Sequence, residues 1–491
     1  MKRCALILTL LALASTSFAV WPTAVRLTDG PNENINPDFG MPDVPTPWGV
    51  GVLVWQRSRP GGWDIYSRLN DCGLTWTTPL AVSVLPDSNV TPSVSAFYPA
   101  RCYCVWMNCH GDSQNILCSR WASTSWDTAM YVTQDTFSNV EPSVRSNIYN
   151  DSVAVVWASR RNGVWNLYSR FYLNGQWTNV IPVVMDSGNN RKPHLYLGYS
   201  WPPLQLAWQN DVRGNWDILT SRWQGGRWTT PRRITSGGQA DVQPAPVKGC
   251  NVSWGDMVNL LWASDSVGNW EVFGTNQDSA PPPSPERFTR NDSSDAEPSA
   301  LLYFLPSQTK TLYHPILTAW TSWRDGNANI YAEHINVTDV VDTSYAEDCK
   351  PSVASVQGSK GNWIYDWVIW QSNRDGNWNL YGSYQMLWNG GVESGKLATS
   401  FEAGPKLLSP SPFRPPGRMT LLYPGSRSDV SFRFYDLQGR DVGLRRAEKK
   451  APGQYEVTWD GRDASGKLLP SGLYFLKPEG TSALFRIVLL R

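Results

Sequence analysis

One recurring pattern constrains this chain more than any other feature. W-x-S-x-R-x-G-N-W-[DN]-[IL]-Y returns across residues 20–400, led by Trp55, Trp106, Trp157, Trp208, Trp262, Trp320 and Trp370. The spacings are 51, 51, 51, 54, 58 and 50 residues. The clearest copies are WQNDVRGNWDIL from Trp208 and WQSNRDGNWNLY from Trp370. With the leading Trp as position 0, position 9 is Asp64, Asn115, Asn166, Asp217, Glu271, Asn329 and Asn379. Position 11 is Tyr66, Leu117, Tyr168, Leu219, Phe273, Tyr331 and Tyr381. Gly stands at position 6 in six copies, and one place earlier, as Gly111, in the second. Apolar alternation on either side of a polar turn with Gly is a β-hairpin. A register in which paired positions sum to 11 sets position 0 against position 11, a cross-strand aromatic pair. The same register sets position 2, often Ser, against the position-9 carboxyl or amide, where the two can hydrogen-bond.

Each copy also carries an upstream Pro: Pro37, Pro92, Pro142, Pro193, Pro244, Pro298 and Pro351. Three residues before it stand Asn34, Asn89, Asn139, Asn190, Asp241, Asp295 and Asp348. Nine before it stand Thr28, Ser83, Thr133, Val184, Thr235, Thr289 and Asp342, ending a strand of the WTTPRRIT kind. One unit is therefore four strands. Four-stranded units of about 50 residues, repeated seven times, predict an all-β chain built on a seven-bladed β-propeller. Trp21 to Thr28 repeats the outer-strand spacing ahead of the first unit. It is expected to complete the seventh blade and close the ring, in preference to Gly395–Thr399.

Composition agrees. Trp numbers 27, and Lys+Arg minus Asp+Glu is 43 − 42 = +1. Near-neutrality argues against nucleic acid or a polybasic membrane contact as the partner. Lys2 and Arg3 precede an apolar run to Ala14, and Ser17-Phe18-Ala19 resembles a cleavage site. Residues 1–19 thus read as a signal peptide, with no later transmembrane stretch, and the mature chain is expected to be exported. In an oxidising compartment Cys102, Cys104, Cys109 and Cys118 suggest a disulfide cluster of open pairing. The same thiols with His110 could be forced into a zinc site, but no metal and no cofactor is expected.

The SxRDGNWDIY hairpin resembles the WD40-like repeats of TolB-type propellers. The turn Leu69-Asn70-Asp71-Cys72-Gly73-Leu74-Thr75-Trp76 is similar to the Asp box of sialidase-like propellers, with Leu69 where that motif has Ser. In those families this is a structural turn. Near the C-terminus, Phe434-Tyr435-Asp436-Leu437-Gln438-Gly439-Arg440, Trp459-Asp460-Gly461-Arg462-Asp463-Ala464-Ser465-Gly466 and Ser471-Gly472-Leu473-Tyr474-Phe475 resemble an FlgD-type Ig-like domain. They also resemble the C-terminal sorting domain of the type IX secretion system. The expected organisation is signal peptide 1–19, propeller 20–404, Pro-rich linker 405–416 and a small Ig-like β-sandwich 417–491.

Two loop sets share one end of such a propeller. The loops entering the first strand carry the Asn/Asp ring from Asn34 to Asp348, and the hairpin turns carry Arg324-Asp325 and Arg374-Asp375. The ring reads either as a ligand rosette or as Asx-turns repeated for structural reasons. Departures from the repeat are then informative: Trp323, Arg213, Lys192 with His194, and His110 with Asp112. Trp223, Trp323 and Trp388 stand off-pattern and are candidate binding platforms. No HExxH, GxSxG or phosphate loop appears. The expected function is a non-catalytic, secreted or cell-surface bacterial module. It would be a monomer that binds an extracellular protein or glycan, and the C-terminal domain would engage the export machinery. The alternative is a sialidase-like or other glycan-cleaving propeller enzyme.

Overall fold

In the computed structural model, the described residues are 21–41, 50–71, 73–83, 85–96, 102–146, 152–197, 204–249, 258–278, 284–302, 317–334, 337–342, 344–357, 363–388, 406–407, 417–422, 430–436, 440–451, 454–478 and 485–489. The expected signal peptide, Gly395–Thr399, Cys72 and Cys250 lie outside them. The described residues are strands, turns and irregular segments. Among them no helix is long and apolar enough to cross a membrane.

The chain divides into two compact units, Met1–Gly391 and Val392–Arg491. In the first, each sequence copy is an antiparallel meander. The first copy runs Asn34–Gly40, Gly51–Arg59, Gly62–Asp71, then Thr75–Trp76 and Leu80–Ala81 on the outer edge. The pattern recurs through the copies that begin at Ser88, Ser138, Asn190, Asp241, Asp295 and Asp348. We number these units 1 to 7. The outer strand of unit 7 is Val25–Arg26, paired with Gly382 and Tyr381, so the N-terminal strand closes the ring as its spacing implied.

The hairpin register holds in every unit. Trp55 faces Tyr66, Trp106 Leu117, Trp157 Tyr168, Trp208 Leu219, Trp262 Phe273, Trp320 Tyr331 and Trp370 Tyr381. All seven hairpin glycines sit at positive φ, from Gly111 at 56° to Gly268 at 97°, where a Cβ would be strained. The leading Trp residues are buried to 3% exposure or less, and they fill the spaces between neighbouring sheets.

The expected bond across the hairpin does not form. Ser264, Ser322 and Ser372 turn inward and donate to Asp241, Asp295 and Asp348. Position 9 turns outward instead: Thr28 donates to Asn379 at 3.0 Å and Thr133 to Asn115 at 3.0 Å. The reason is geometric. Where the outer residue is Thr, in units 2, 4, 5 and 7, ring residue, position 2, position 9 and that Thr form one polar row across the sheet, and the bonds run from each end of the row inward to its neighbour.

The second unit runs, by pairing, Lys406–Leu407, Gly417–Leu422, Gln454–Trp459, Asp441–Ala451, Val430–Tyr435, Gly472–Pro478 and Phe485–Leu489. Lys406–Leu407 falls inside the Pro-rich stretch 405–416 and pairs with Leu421–Leu422. Asp441–Ala451 belongs to both halves of this sandwich. Trp459 is 1% exposed, tilted against Phe434 with centroids 4.4 Å apart, and gives its indole N–H to the Arg462 carbonyl. The Trp459–Gly466 motif is a tight turn. Asp463 accepts from Ser465 N, Ser465 Oγ and Lys467 N, which hold its carboxyl below the usual range.

Candidate functional site

The inner strands place one repeated feature around the propeller axis. The residue before each conserved Pro lies in the left-handed region: Asn36, Thr91, Glu141, Lys192, Gln243, Glu297 and Lys350, with φ between 51° and 56°. None is Gly, and each such residue costs roughly 1–2 kcal/mol. At each one the inner strand bulges against its partner. The bulge aims a backbone N–H at the preceding unit. Asn36 N reaches Gln371 Oε1 at 2.9 Å, Thr91 N Gln56 Oε1 at 3.1 Å and Gln243 N Gln209 Oε1 at 3.0 Å. Lys192 N reaches Glu141, Glu297 N Gln243 and Lys350 N Glu297, at 2.8–2.9 Å. Six of the seven junctions are tied this way, which offsets the backbone strain.

The residue after each Pro lies one step further along the channel. Four units have Ser there, namely Ser93, Ser143, Ser299 and Ser352. Ser143, Ser299 and Ser352 accept the next unit's backbone N–H, from Leu195, Val353 and Phe39. Units 1, 4 and 5 depart from this, with Asp38, His194 and Ala245. The structure gathers the departures. Asp38 Oδ2 accepts Val94 N at 2.9 Å, as a Ser would, and its other oxygen meets Lys248 Nζ at 3.3 Å. Lys248 follows the inner strand of unit 5 and also donates to Phe39 O at 3.0 Å and Ser352 Oγ at 3.2 Å. Arg145, 8% exposed, and His194 complete the lining. Burial alone would raise the Asp38 carboxyl; Lys248 and the Val94 N–H outweigh it and hold it low. Burial pushes His194 down to about 4, with Lys248 and Arg145 acting in the same direction and Asp38 opposing. The space left is a cavity of about 10 Å³, the size of one water.

The Asn/Asp ring is internal. All seven members are at most 6% exposed. Asn34, Asn89, Asn139, Asn190 and Asp241 accept the leading Trp indole N–H of their own unit at 2.8–3.0 Å. In units 6 and 7 the ring carboxylates Asp295 and Asp348 instead take Arg324 and Arg374, each at 2.9 Å. Burial still leaves both carboxyls raised. Those guanidinium groups lie over Tyr331 at 4.0 Å and Tyr381 at 4.1 Å. Asp325 and Asp375 accept the hydroxyls of the same two Tyr residues.

Of the off-pattern residues, Trp223 is half-buried and packed on Phe171 (4.4 Å) and Trp228 (5.5 Å). The Trp388 side chain lies outside the described residues. Trp323 is 40% exposed, and Arg213 is exposed on the turn of unit 4. His110 meets Asp87, not Asp112, at 2.8 Å, which raises its pKa. The expected disulfide cluster is corrected: Cys102, Cys104, Cys109 and Cys118 are all thiols. Cys102 and Cys104 pack with Trp106 on one face of unit 2, whereas Cys118 packs with Val105 on the other. Strand alternation therefore separates them. Asp38, Arg145 and Lys248 escaped the sequence reading. The first was legible as a departure from Ser after Pro; Lys248 lies outside the aligned pattern and gave no signal.

Residues 416–483 match the FlgD Ig-like domain family. The C-terminal unit is an FlgD-type Ig-like domain. No curated protein matches the chain. Similar solved structures include the Hadza microbial sialidase Hz136, 11% identical over 72% of this chain and 66% of that one, TM-score 0.39. Another is the Trypanosoma rangeli sialidase in complex with the inhibitor DANA, 10% identical over 96% and 88%, TM-score 0.40. A third is the α-L-arabinofuranosidase PaAbf62A from Podospora anserina in complex with cellotriose, 12% identical over 50% and 90%, TM-score 0.27. The chain thus spans just under two thirds of the Hadza sialidase. Likeness at this level bears on no residue of the site.

Proposed function

We propose that the protein is an exported bacterial seven-bladed propeller that binds an extracellular protein or glycan without turning it over. Its FlgD-type domain would serve sorting or attachment. The observation that carries this reading is the arrangement of exposed apolar side chains. In-register contacts between inner strands point every unit the same way, so the hairpin turns share one end of the ring. On three consecutive turns, units 4 to 6, stand Val212 (40% exposed), Val267 (44%) and Trp323 (40%). Arg213 lies next to Val212 and Asp325 two residues past Trp323. Adjacent exposed apolar groups rimmed by charge are the composition of a binding surface, and Trp is the residue type most often decisive in one. The hub, with space for one water, does not admit a sugar ring.

The test is a glycan array, capture of extracellular proteins and a glycoside-hydrolysis screen on the mature chain and on Trp323→Ala. The reading expects binding that Trp323→Ala weakens at least tenfold, with no turnover. Turnover abolished by a single carboxylate substitution would establish the glycan-cleaving alternative. Removing 392–491 is expected to block export or surface retention; unchanged retention refutes the sorting role.

A further inference from the structure

We propose that the hairpin-turn end of the ring binds a neutral glycan chain, which stacks on Trp323 and Tyr345 and gives its hydroxyls to Asp325 and Glu347. The inference rests on the reading that this end is a binding surface, and it names the ligand. The repeat carries the argument, because the other units show what each position does for the fold. At position 3, where unit 6 has Trp323, Ser58, Asp211, Asp265 and Asn373 each accept a backbone N–H from the loop entering their own unit, at 2.6–3.0 Å. An indole has no acceptor to offer. Unit 6 gives up that tie and displays a 40% exposed ring in its place. Tyr345 is the second departure. In units 4 to 6 the side chain of the position-7 Asn clamps the loop ahead of the next unit by two carbonyls, at 2.5–3.2 Å. Asn215 holds Gly237 and Gln239, Asn269 holds Asn291 and Ser293, and Asn327 holds Ser344 and Ala346. The residue between the held carbonyls is Gly238, Asp292 and Tyr345 in turn, and its counterparts ahead of the other units are Pro31, Pro86, Thr136 and Ser187. Tyr345 is thus presented on a bracket the repeat has already built, 101% exposed and one residue from each anchored carbonyl. Asn327, which anchors it, directly follows the turn that carries Trp323.

The surroundings of the two rings select the ligand. A ring held on a fixed loop gives up little entropy on contact, and its flat face suits the C–H face of a sugar. Asp325 commits Oδ2 to Tyr331 and Asn329, and Glu347 commits Oε2 to Ala328 N. Each carboxylate is therefore fixed, and among the described residues its second oxygen is left to accept a hydroxyl. The exposed charges on the turn and on the loops at 290–294 and 344–347 are Asp292, Asp325 and Glu347 against Arg290, while Arg324 is spent on Asp295. That negative excess repels sialic acid, uronates and sulfated sugars. Two rings on separate loops, with carboxylates between and beside them, do not make the packed apolar centre of a protein interface. A chain that offers C–H faces and hydroxyls together uses both kinds of group.

The test is affinity electrophoresis of the mature protein through gels holding xylan, mixed-linkage β-glucan, galactomannan or an α-glucan, with polygalacturonate and alginate as acidic counterparts. Retardation by a neutral polymer and by neither acidic one supports the proposal. Trp323→Ala and Tyr345→Ala should each weaken that binding at least tenfold, whereas Tyr345→Phe keeps the ring and the binding. Trp323→Asp gives unit 6 the side chain that units 4 and 5 carry as Asp211 and Asp265. It should abolish binding with no fall in melting temperature, which separates a lost ligand from a lost fold. Binding to none of the neutral polymers, binding to the acidic ones alone, or equal binding by wild type and all these variants overturns the proposal. If Trp323→Ala instead weakens capture of an extracellular protein and no glycan binds, the glycan assignment falls and the binding-surface reading stands. If Trp323→Ala changes the capture of neither, both fall.

Discussion

A buried indole without an acceptor is expensive, and that cost accounts for the Asn or Asp three residues before the Pro in units 1 to 5; in units 6 and 7 the Asp takes an Arg and the Trp320 and Trp370 indoles have no acceptor. Asn190 shows the full load: it accepts from Trp208 at 2.8 Å and from Asn210 at 2.9 Å, and donates to Asn166 and Asp186. Asn190→Ala should cost about 3 kcal/mol, read as a lowered urea midpoint. His194 gives a pH dependence. Its folded pKa of about 4 lies below its ordinary 6.5, so between those values the unfolded chain binds more protons. Stability contributed by the neutral ring is complete above about 6.5 and falls as pH drops toward about 4. His194→Gln should flatten the stability curve in that window, measured by chemical denaturation at stepped pH.

Between elements, the closing contacts are the sensitive ones. Trp21 is 6% exposed and meets His334 edge-on, Thr28 Oγ1 accepts Leu380 N at 2.9 Å, and Arg26 pairs with Asp375 at 2.9 Å. Deleting residues 20–28 should leave unit 7 with an unpaired edge and lower the melting temperature by many degrees, with aggregation as the companion readout. Gly73 is a second such point. It sits at φ 91°, its carbonyl accepts the Trp367 indole, and a Cβ there would lie 2.0 Å from Tyr365. Gly73→Ala should therefore destabilise the junction of units 1 and 7 without disturbing the Ig-like domain, visible in calorimetry as a shift of one transition only. Arg324→Ala should cost about 2 kcal/mol, because the wholly buried Asp295 carboxylate loses its ion pair and keeps only Ser322 and Asn291.

At the scale of the whole molecule, the repeat made most of the architecture legible before any coordinates. Hairpin register, turn glycines and the N-terminal closing strand all follow from residue spacing. They are local or periodic properties, and seven copies average out the exceptions. The hub was not legible in this way. Asp38 and Lys248 are 210 residues apart and Asp38 and Ser352 are 314 apart, and no spacing rule connects them. The cysteine cluster failed for a related reason: proximity in sequence says nothing about which face of a sheet a side chain takes. Alternation thus fixed the fold from the chain alone, because a repeated unit with two apolar faces can bury them only against copies of itself. Ring closure decided the rest. It alone brings the irregular residues of units 1, 3, 4 and 5 onto one axis, where their charges meet.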